Sequence, residues 1–169
     1  MDEADVRLFL RDGYARLVGA VALVTGDLTS AEDAVQEAIV RAWERSDHGE
    51  KIVALDRWVA AVAMNLSRSG LRRLRVERLA RPRLIGAATV EAPSEDAVDV
   101  RRALAALPRR QRETAVLRYY LDLSTEEIAE AMGTSEGTVK SQLSKARAHL
   151  ADALTTRDGA DEEPYHADR

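Results

Sequence analysis

Residues 123–150 read LSTEEIAEAMGTSEGTVKSQLSKARAHL, and this stretch decides the second half of the fold. Ser124, followed three residues later by Glu127, has the spacing of a capping box that starts a short helix. Gly133 can adopt the positive φ that a sharp turn needs, and the hydroxyl residues after it can cap a second helix. The pattern therefore predicts a helix-turn-helix.

The second helix of this motif has two different faces. Apolar residues recur at helical spacing and predict its buried face: Val139, Leu143, Ala146 and Leu150. The outward face offers hydrogen-bond donors: Lys140, Ser141, Gln142, Ser144, Lys145 and Arg147. No carboxylate occurs between Thr138 and Ala151, which favours contact with a polyanion such as DNA. The alternative is a helical hairpin with a purely structural role.

Charge is distributed unevenly along the rest of the chain. Seven arginines against one glutamate fall within residues 68–83, namely Arg68, Arg72, Arg73, Arg75, Arg78, Arg81 and Arg83. Such a stripe is typical of a polyanion-binding surface, although a solvated arginine-rich helix is an equal alternative. The first 67 residues carry an excess of acidic side chains and are better suited to a protein partner.

Helical periodicity dominates, and alternating strand patterns are essentially absent. The chain is predicted to be all-α, with helices over 4–24, 31–45, 55–80, 95–107, 109–121, 125–132 and 136–153. Ser30 with Asp33 resembles a capping box at the start of the second helix, whose apolar stripe extends to Trp43. We interpret Trp43 and Trp58 as core residues because both lie on apolar stripes.

Pro82, Gly86 and Pro93 mark a break in the helical pattern. We therefore predict two small helical modules joined by a linker. The second module is a helix-turn-helix DNA-binding domain, winged-helix-like but without the wing. The predicted boundaries are 1–80 for the first module, 81–94 for the linker, 95–154 for the second module, and 155–169 for an acidic, disordered tail.

Composition excludes several classes of protein. The 169 residues include no cysteine and three histidines, which argues against disulfides, a cysteine nucleophile and a metal cluster. The sequence shows neither a glycine-rich phosphate loop nor a Ser/His/Asp arrangement, so we expect no enzyme, cofactor or small-molecule substrate. The acidic N-terminus does not suit a signal peptide, and apolar runs are too short to cross a membrane. We therefore expect a cytoplasmic protein without membrane insertion.

Four segments resemble one known family. Residues 137–147 (GTVKSQLSKAR) are similar to the recognition helix of extracytoplasmic-function (ECF) sigma factors of bacterial RNA polymerase. The three other matching segments lie upstream and in the family's order: 107–119 before the helix-turn-helix, 31–43 in the core-polymerase-binding helix, and 58–73 in the promoter-melting helix. The resemblance implies a sigma factor that binds core RNA polymerase and directs promoter-specific transcription initiation.

The resemblance also implies the roles of individual residues. The polymerase-binding face would comprise Asp33, Gln36, Glu37, Val40 and Arg41. Contact with the −10 element would come from Asn65, Arg68, Arg72 and Arg73, with an opened base held by the loop 46–56. Contact with the −35 element would come from Lys140, Ser141, Gln142, Ser144, Lys145 and Arg147, assisted by Arg109, Arg110 and Arg112.

The partners implied are core RNA polymerase and promoter DNA, with an anti-sigma factor as a further candidate. Two other interpretations remain open. A stand-alone helix-turn-helix regulator would explain residues 108–150 but leaves the first module without a role. A sigma-like decoy for an anti-sigma protein would keep the fold, but it should lose basic residues from the recognition helix, whereas Lys140, Lys145 and Arg147 are present.

Overall fold

The computed structural model describes the backbone of residues 3–78 and 95–158 and the side chains of residues 6–68 and 98–153. Within these ranges the chain is helical, with short connections and no strand, as predicted. The proposed linker 81–94 and residues 159–169 of the predicted tail lie outside the described residues. No helix in the described part is long and apolar enough to cross a membrane.

The first half of the chain forms a bundle of four helical segments. They are α1 (Glu3–Leu8), which continues through a π-helical turn (Phe9–Gly13) into α2 (Tyr14–Thr25), then α3 (Leu28–Asp47) and α4 (Leu55–Arg78). Helix α3 packs against both α2 and α4. Small residues on α3 are buried and allow this close approach, among them Ala31, Ala38 and Ala42. Val35, Val59 and Met64 fill the remaining space and are fully buried.

The second half forms a smaller bundle. It contains α5 (Glu95–Ala106), α6 (Arg109–Ala115) with a π-helical turn (Val116–Tyr120), α7 (Thr125–Met132) and α8 (Glu136–Asp158). Helix α8 packs against α5, α6 and α7. Leu117 and Ile128 are completely buried at the centre of this bundle. Helix α8 continues into the segment that the sequence assigned to the tail, since it ends at Asp158.

The start of α3 differs from the prediction. The helix begins at Leu28, and its N-cap is Asp27, whose carboxylate accepts a hydrogen bond of 3.0 Å from the backbone N–H of Ser30. The predicted capping box of Ser30 and Asp33 is therefore wrong. Asp27 supplies the cap because it is extended (φ −142°, ψ 120°), as a helix N-cap requires, whereas Ser30 already lies in the first turn.

The two bundles pack directly against one another. Helix α2 contacts α5, α6 and the turn Val116–Tyr120, and α4 contacts α7. The buried residues of both halves form one continuous core cluster. The sequence predicted two modules but carried no signal for this contact between them.

Candidate nucleic-acid interface

The helix-turn-helix is built by the local interactions that the sequence predicted. The hydroxyl of Ser124 accepts the backbone N–H of Glu127 (3.1 Å), and the Glu127 carboxylate accepts the backbone N–H of Ser124 (2.8 Å). Gly133 ends α7 in the left-handed region, at φ +60°. Ser135 then caps α8 by accepting the backbone N–H of Thr138 (3.2 Å). The angle between α7 and α8 is therefore set at both ends of the turn.

Helix α8 presents the two faces expected for it. Val139, Leu143 and Ala146 are buried against the rest of the second bundle, and Leu150 is partly buried. Five of the six predicted DNA contacts are exposed: Lys140, Ser141, Ser144, Lys145 and Arg147. Gln142, the sixth, is half-buried at the side of the exposed face. Lys140 lies 3.3 Å from Glu136 on the preceding turn, so its ammonium is partly neutralised.

The three arginines of α6 occupy different environments. Arg110 is exposed. Arg112 donates hydrogen bonds to three backbone carbonyls, those of Ala105 (2.6 Å), Leu107 (3.1 Å) and Val24 (3.2 Å). Burial lowers the pKa of both Arg109 and Arg112. Two of these three side chains therefore lie in packing contacts, while Arg110 remains open to a phosphate.

Helix α4 carries the residues predicted to contact the −10 element. Asn65 is exposed, and its side-chain oxygen accepts a hydrogen bond of 2.5 Å from Arg68. The Arg68 guanidinium also donates to the carboxylate of Glu113 on α6, from Nε at 2.6 Å. Glu113 is completely buried. The side chains of Arg72 and Arg73 lie outside the described residues, although the helix itself continues to Arg78.

The outer face of α3 is exposed and mixed in character. All five predicted polymerase-binding residues lie on it: Asp33, Gln36, Glu37, Val40 and Arg41. Glu37 and Arg41 form an ion pair of 2.8 Å. Val40 is 51% exposed and Trp43 is 49% exposed, so the prediction that Trp43 packs in the core is wrong. Its position on the edge of the apolar stripe leaves one side of the indole without a covering helix.

Trp58 differs from Trp43. It packs partly buried against the core, and the guanidinium of Arg45 lies 5.9 Å from the centroid of its ring. This distance suits a cation–π contact. The interpretation of Trp58 as a packing residue agrees with this placement.

The predicted loop 46–56 is shorter in the structure, because α3 continues to Asp47 and α4 begins at Leu55. Residues 52–56 form one wall of an open cleft. Val53 is 90% exposed at the tip of this segment, whereas Ile52 and Leu55 are partly buried against the core. The cleft measures about 600 Å³. Its other walls come from the segment 8–17, from Arg57 and Ala60 on α4, and from Leu121 and Leu123. An exposed apolar tip beside a cleft can accommodate an unstacked base.

Sequence reasoning missed two residues of this region. The sequence pattern predicts a core position for Trp43 and gives no role to Glu113. A signal for Glu113 existed, because it stands directly before the small and apolar run 114–117 (TAVL), all of which is buried. A carboxylate at such a position needs a cationic partner. The sequence alone does not identify that partner as Arg68, 45 residues earlier.

Comparison with known proteins gives matches to both halves of the chain. A family model for Sigma-70 region 2 matches residues 10–77, and a model for Sigma-70, region 4 matches residues 97–150. The ECF RNA polymerase sigma factor SigL of Mycobacterium tuberculosis is 33% identical over 154 residues, which cover 83% of this chain and 84% of SigL.

A second relative is longer than this chain. The probable RNA polymerase sigma factor RfaY of Xanthomonas campestris is 33% identical over 152 residues, which cover 83% of this chain and 38% of RfaY. Among solved structures, the sigma factor RpoE of Bartonella quintana, crystallised with the anti-sigma factor NepR, superposes with a TM-score of 0.74. The two are 26% identical, and the match covers 89% of this chain and 97% of RpoE.

Proposed function

The chain belongs to the ECF family of RNA polymerase sigma factors, and from this membership we propose which of its residues contact core polymerase, the −10 element and the −35 element. It binds core RNA polymerase and directs transcription from specific promoters. The observation that carries the assignment of residues is the exposed face of α8, which displays hydrogen-bond donors on a rigidly capped helix-turn-helix. We propose that residues 1–80 and 95–154 act as separate promoter-reading modules, joined by 81–94 and followed by the tail 155–169.

We propose that α8 enters the major groove of the −35 element. Residues near the N-terminus of a recognition helix usually reach base edges, which selects Lys140, Ser141 and Gln142 for this role. Ser144, Lys145 and Arg147 lie further along the exposed face and are suited to phosphates. On α6, Arg110 is exposed and would bind the backbone directly. Arg109 and Arg112 are held in packing contacts, so we propose that they assist by positioning α6 rather than by binding a phosphate themselves.

We propose that α4 and the loop before it contact the −10 element. Arg68, Arg72 and Arg73 would hold phosphates, which fixes position without reading sequence. Asn65 is exposed beside Arg68 and can form hydrogen bonds with a base of the opened strand. The exposed tip of the loop 46–56 supports a role in holding that base.

We propose that the outer face of α3 docks on core polymerase. Asp33, Gln36, Glu37 and Arg41 provide charge and hydrogen-bonding capacity on this face, all of them exposed. Val40 provides an apolar centre, and we add Trp43 to the set because half of its surface is uncovered. Partly exposed tryptophan is enriched at the energetic centres of protein interfaces.

Further partners follow from the family. Sigma factors are initiation factors rather than enzymes, so we propose no catalytic step, cofactor or small-molecule substrate for this chain. Its place of action would be the cytoplasm, where core polymerase transcribes the chromosome. An anti-sigma factor is a candidate partner, since the RpoE match is to a sigma factor bound by one.

Run-off transcription with purified core polymerase tests this function. A library of promoter fragments should yield discrete transcripts with the chain present and none without it. The double variant Gln36→Ala, Glu37→Lys should lose transcription and capture less core polymerase while keeping its helical circular dichroism. Arg101→Glu reverses an exposed charge on α5, outside this face, and should leave both unchanged. DNA binding without any polymerase-dependent transcription would instead support the stand-alone regulator.

A further inference from the structure

Two lysines on the exposed face of α8 have different surroundings. The ammonium of Lys140 lies 3.3 Å from the carboxylate of Glu136, one turn earlier on the same helix. Lys145 is also exposed, and in the described part of the chain no carboxylate forms an ion pair with it. Both lysines are proposed contacts of the −35 element, but only Lys140 brings a negative partner to the DNA. That carboxylate repels every nearby phosphate, so its presence on this face calls for a reason.

The carboxylate of Glu136 is held from two sides. Its Oε2 accepts a hydrogen bond of 3.3 Å from the hydroxyl of Thr125 on α7, and the same oxygen faces the ammonium of Lys140. Thr125 is half-buried at the first position of α7, directly after the Ser124 cap. Glu136 therefore connects the first helix of the helix-turn-helix to the N-terminal end of the second, which is the end of a recognition helix that usually reaches base edges.

Folding stability does not account for this arrangement. The side chains of Lys140 and Glu136 are 64% and 48% exposed, and an ion pair between exposed charges contributes little to stability. The helix dipole favours a carboxylate in the first turn of α8, but that effect requires neither the hydrogen bond from Thr125 nor a lysine one turn later. The effect of Glu136 is therefore to be sought in what Lys140 can bind.

The ion pair restricts the choice of acceptors for Lys140. A lysine ammonium is a point charge on a flexible stem, so a lysine in the major groove can turn either to a phosphate or to a base edge. Beside Glu136 the pair carries no net charge, and its attraction to phosphates is weak. The ammonium has three N–H donors, and Glu136 takes one of them. Two remain for neutral acceptors, such as O6 and N7 of guanine.

We propose that Glu136 is a positioning residue that makes Lys140 read a guanine of the −35 element instead of binding a backbone phosphate. The proposal rests on the proposed function, because it takes Lys140 as a −35 contact. Glu136 lowers the affinity of α8 for DNA of any sequence and raises its selectivity at one base pair. Recognition surfaces commonly gain specificity from a repulsive element of this kind. Lys145, which has no such partner in the described part of the chain, binds phosphate.

The first measurement is base preference. Reconstituted holoenzyme binds promoter fragments randomised in the −35 element, and sequencing of the bound fraction gives the preference at each base pair. Lys140→Ala identifies the base pair that Lys140 reads. Glu136→Gln keeps the size of the side chain and an acceptor oxygen but removes the charge, and it should reduce a preference of at least about fivefold at that base pair towards none. Glu130→Gln, at an exposed glutamate near the other end of α7, is the matched control and should change no preference.

The second measurement is the salt dependence of holoenzyme binding to one fixed promoter. In Glu136→Gln the released Lys140 neutralises one more phosphate, so affinity should rise about fivefold at 0.15 M salt and the slope of log K against log salt should steepen by about 0.9. The double variant Glu136→Gln, Lys140→Ala should lose both gains. Thr125→Val removes the hydrogen bond to Glu136 and keeps the ion pair, so it should weaken the preference at the same base pair without steepening the slope.

Three results would overturn the positioning role. Glu136→Gln leaves the preference intact at the base pair identified by Lys140→Ala, it changes preference equally when Lys140 is already alanine, or it weakens binding to all sequences together with a loss of helical circular dichroism. The second result would make Glu136 a base reader in its own right, and the third a support of the helix. If Lys140→Ala itself changes no preference, the proposed −35 contact of Lys140 fails and the role of Glu136 fails with it. The two failures are therefore distinguishable.

Discussion

Replacing Lys145 by alanine should change how promoter binding depends on salt, whereas replacing Arg112 should not. Lys145 is exposed on α8, and in the described part of the chain no carboxylate forms an ion pair with it. Each phosphate neutralised on duplex DNA contributes about 0.9 to the slope of log K against log salt, equivalent to about fivefold in affinity at 0.15 M and about fifteenfold at 0.05 M. Lys145→Ala should lose one such contact.

Arg112 has a different role from Lys145. Its guanidinium satisfies three backbone carbonyls, two of them at the C-terminal end of α5, where the helix dipole also favours a cation. Hydrogen bonds from a charged donor are worth about 1.5–3 kcal/mol each when buried, and Arg112 is only half-buried. Arg112→Ala should therefore lower the free energy of unfolding by about 2–3 kcal/mol in total and leave the salt slope unchanged.

The assay is a potassium chloride titration of promoter binding by reconstituted holoenzyme, with thermal unfolding of the free chain measured in parallel. Lys145→Ala should reduce the slope by about one and leave the unfolding temperature unchanged. The assignment is refuted if Lys145→Ala leaves the slope intact, or if Arg112→Ala reduces it equally without loss of stability.

Four further outcomes can be measured on the same material. Gln142→Ala should change which −35 variants are transcribed and cost about 1–3 kcal/mol at one position, which competition between promoter variants would detect; uniform loss across variants would contradict base reading. Glu136→Gln should raise promoter affinity, because it releases Lys140 from its ion pair, and a fall would show that Glu136 supports the helix instead. Ser124→Ala should cost about 1 kcal/mol of unfolding free energy. The N–H of Ser124 and the nearby Arg57 hold the pKa of Glu127 below its ordinary value. This carboxylate therefore contributes stability above about pH 4.3 that is lost as the pH falls through its lowered pKa. In Glu127→Gln, the free energy of unfolding, measured by circular dichroism, should fall less between neutral and acidic pH than in the unmodified chain.

Local features of this fold could be predicted because they depend on neighbours in sequence. The capping box at Ser124, the left-handed Gly133 and the buried stripe of α8 each involve residues within a few positions of one another. The position of Trp43 could not be predicted in this way. Periodicity shows which side of α3 is apolar. How much of that side is covered depends on where the neighbouring helices α2 and α4 end.

The contact between the bundles was beyond sequence reasoning for a related reason. Arg68 and Glu113 belong to different modules, and many pairings of arginine with carboxylate were open to a chain of this composition. The structure buries Glu113 beside Arg68, and this placement determines which pair forms. The roles assigned to Asn65, to the α3 face and to α8 came from resemblance to the family, and they remain predictions to be tested on the complex.

The π-helical turn Phe9–Gly13 has a consequence for how this protein can tolerate changes in length. Successive residues of an α-helix are rotated by about 100°, so Phe9 and Leu17, eight positions apart, would normally point about 80° away from each other. The wider turn absorbs one residue and brings both side chains into the core, where each is buried. Deleting one residue within this turn would restore an ordinary helix with Phe9 and Leu17 still on the same side. The same deletion in α2 would rotate everything before it by about 100° and expose Phe9. Single-residue insertions and deletions among relatives should therefore occur at this turn more often than within α2.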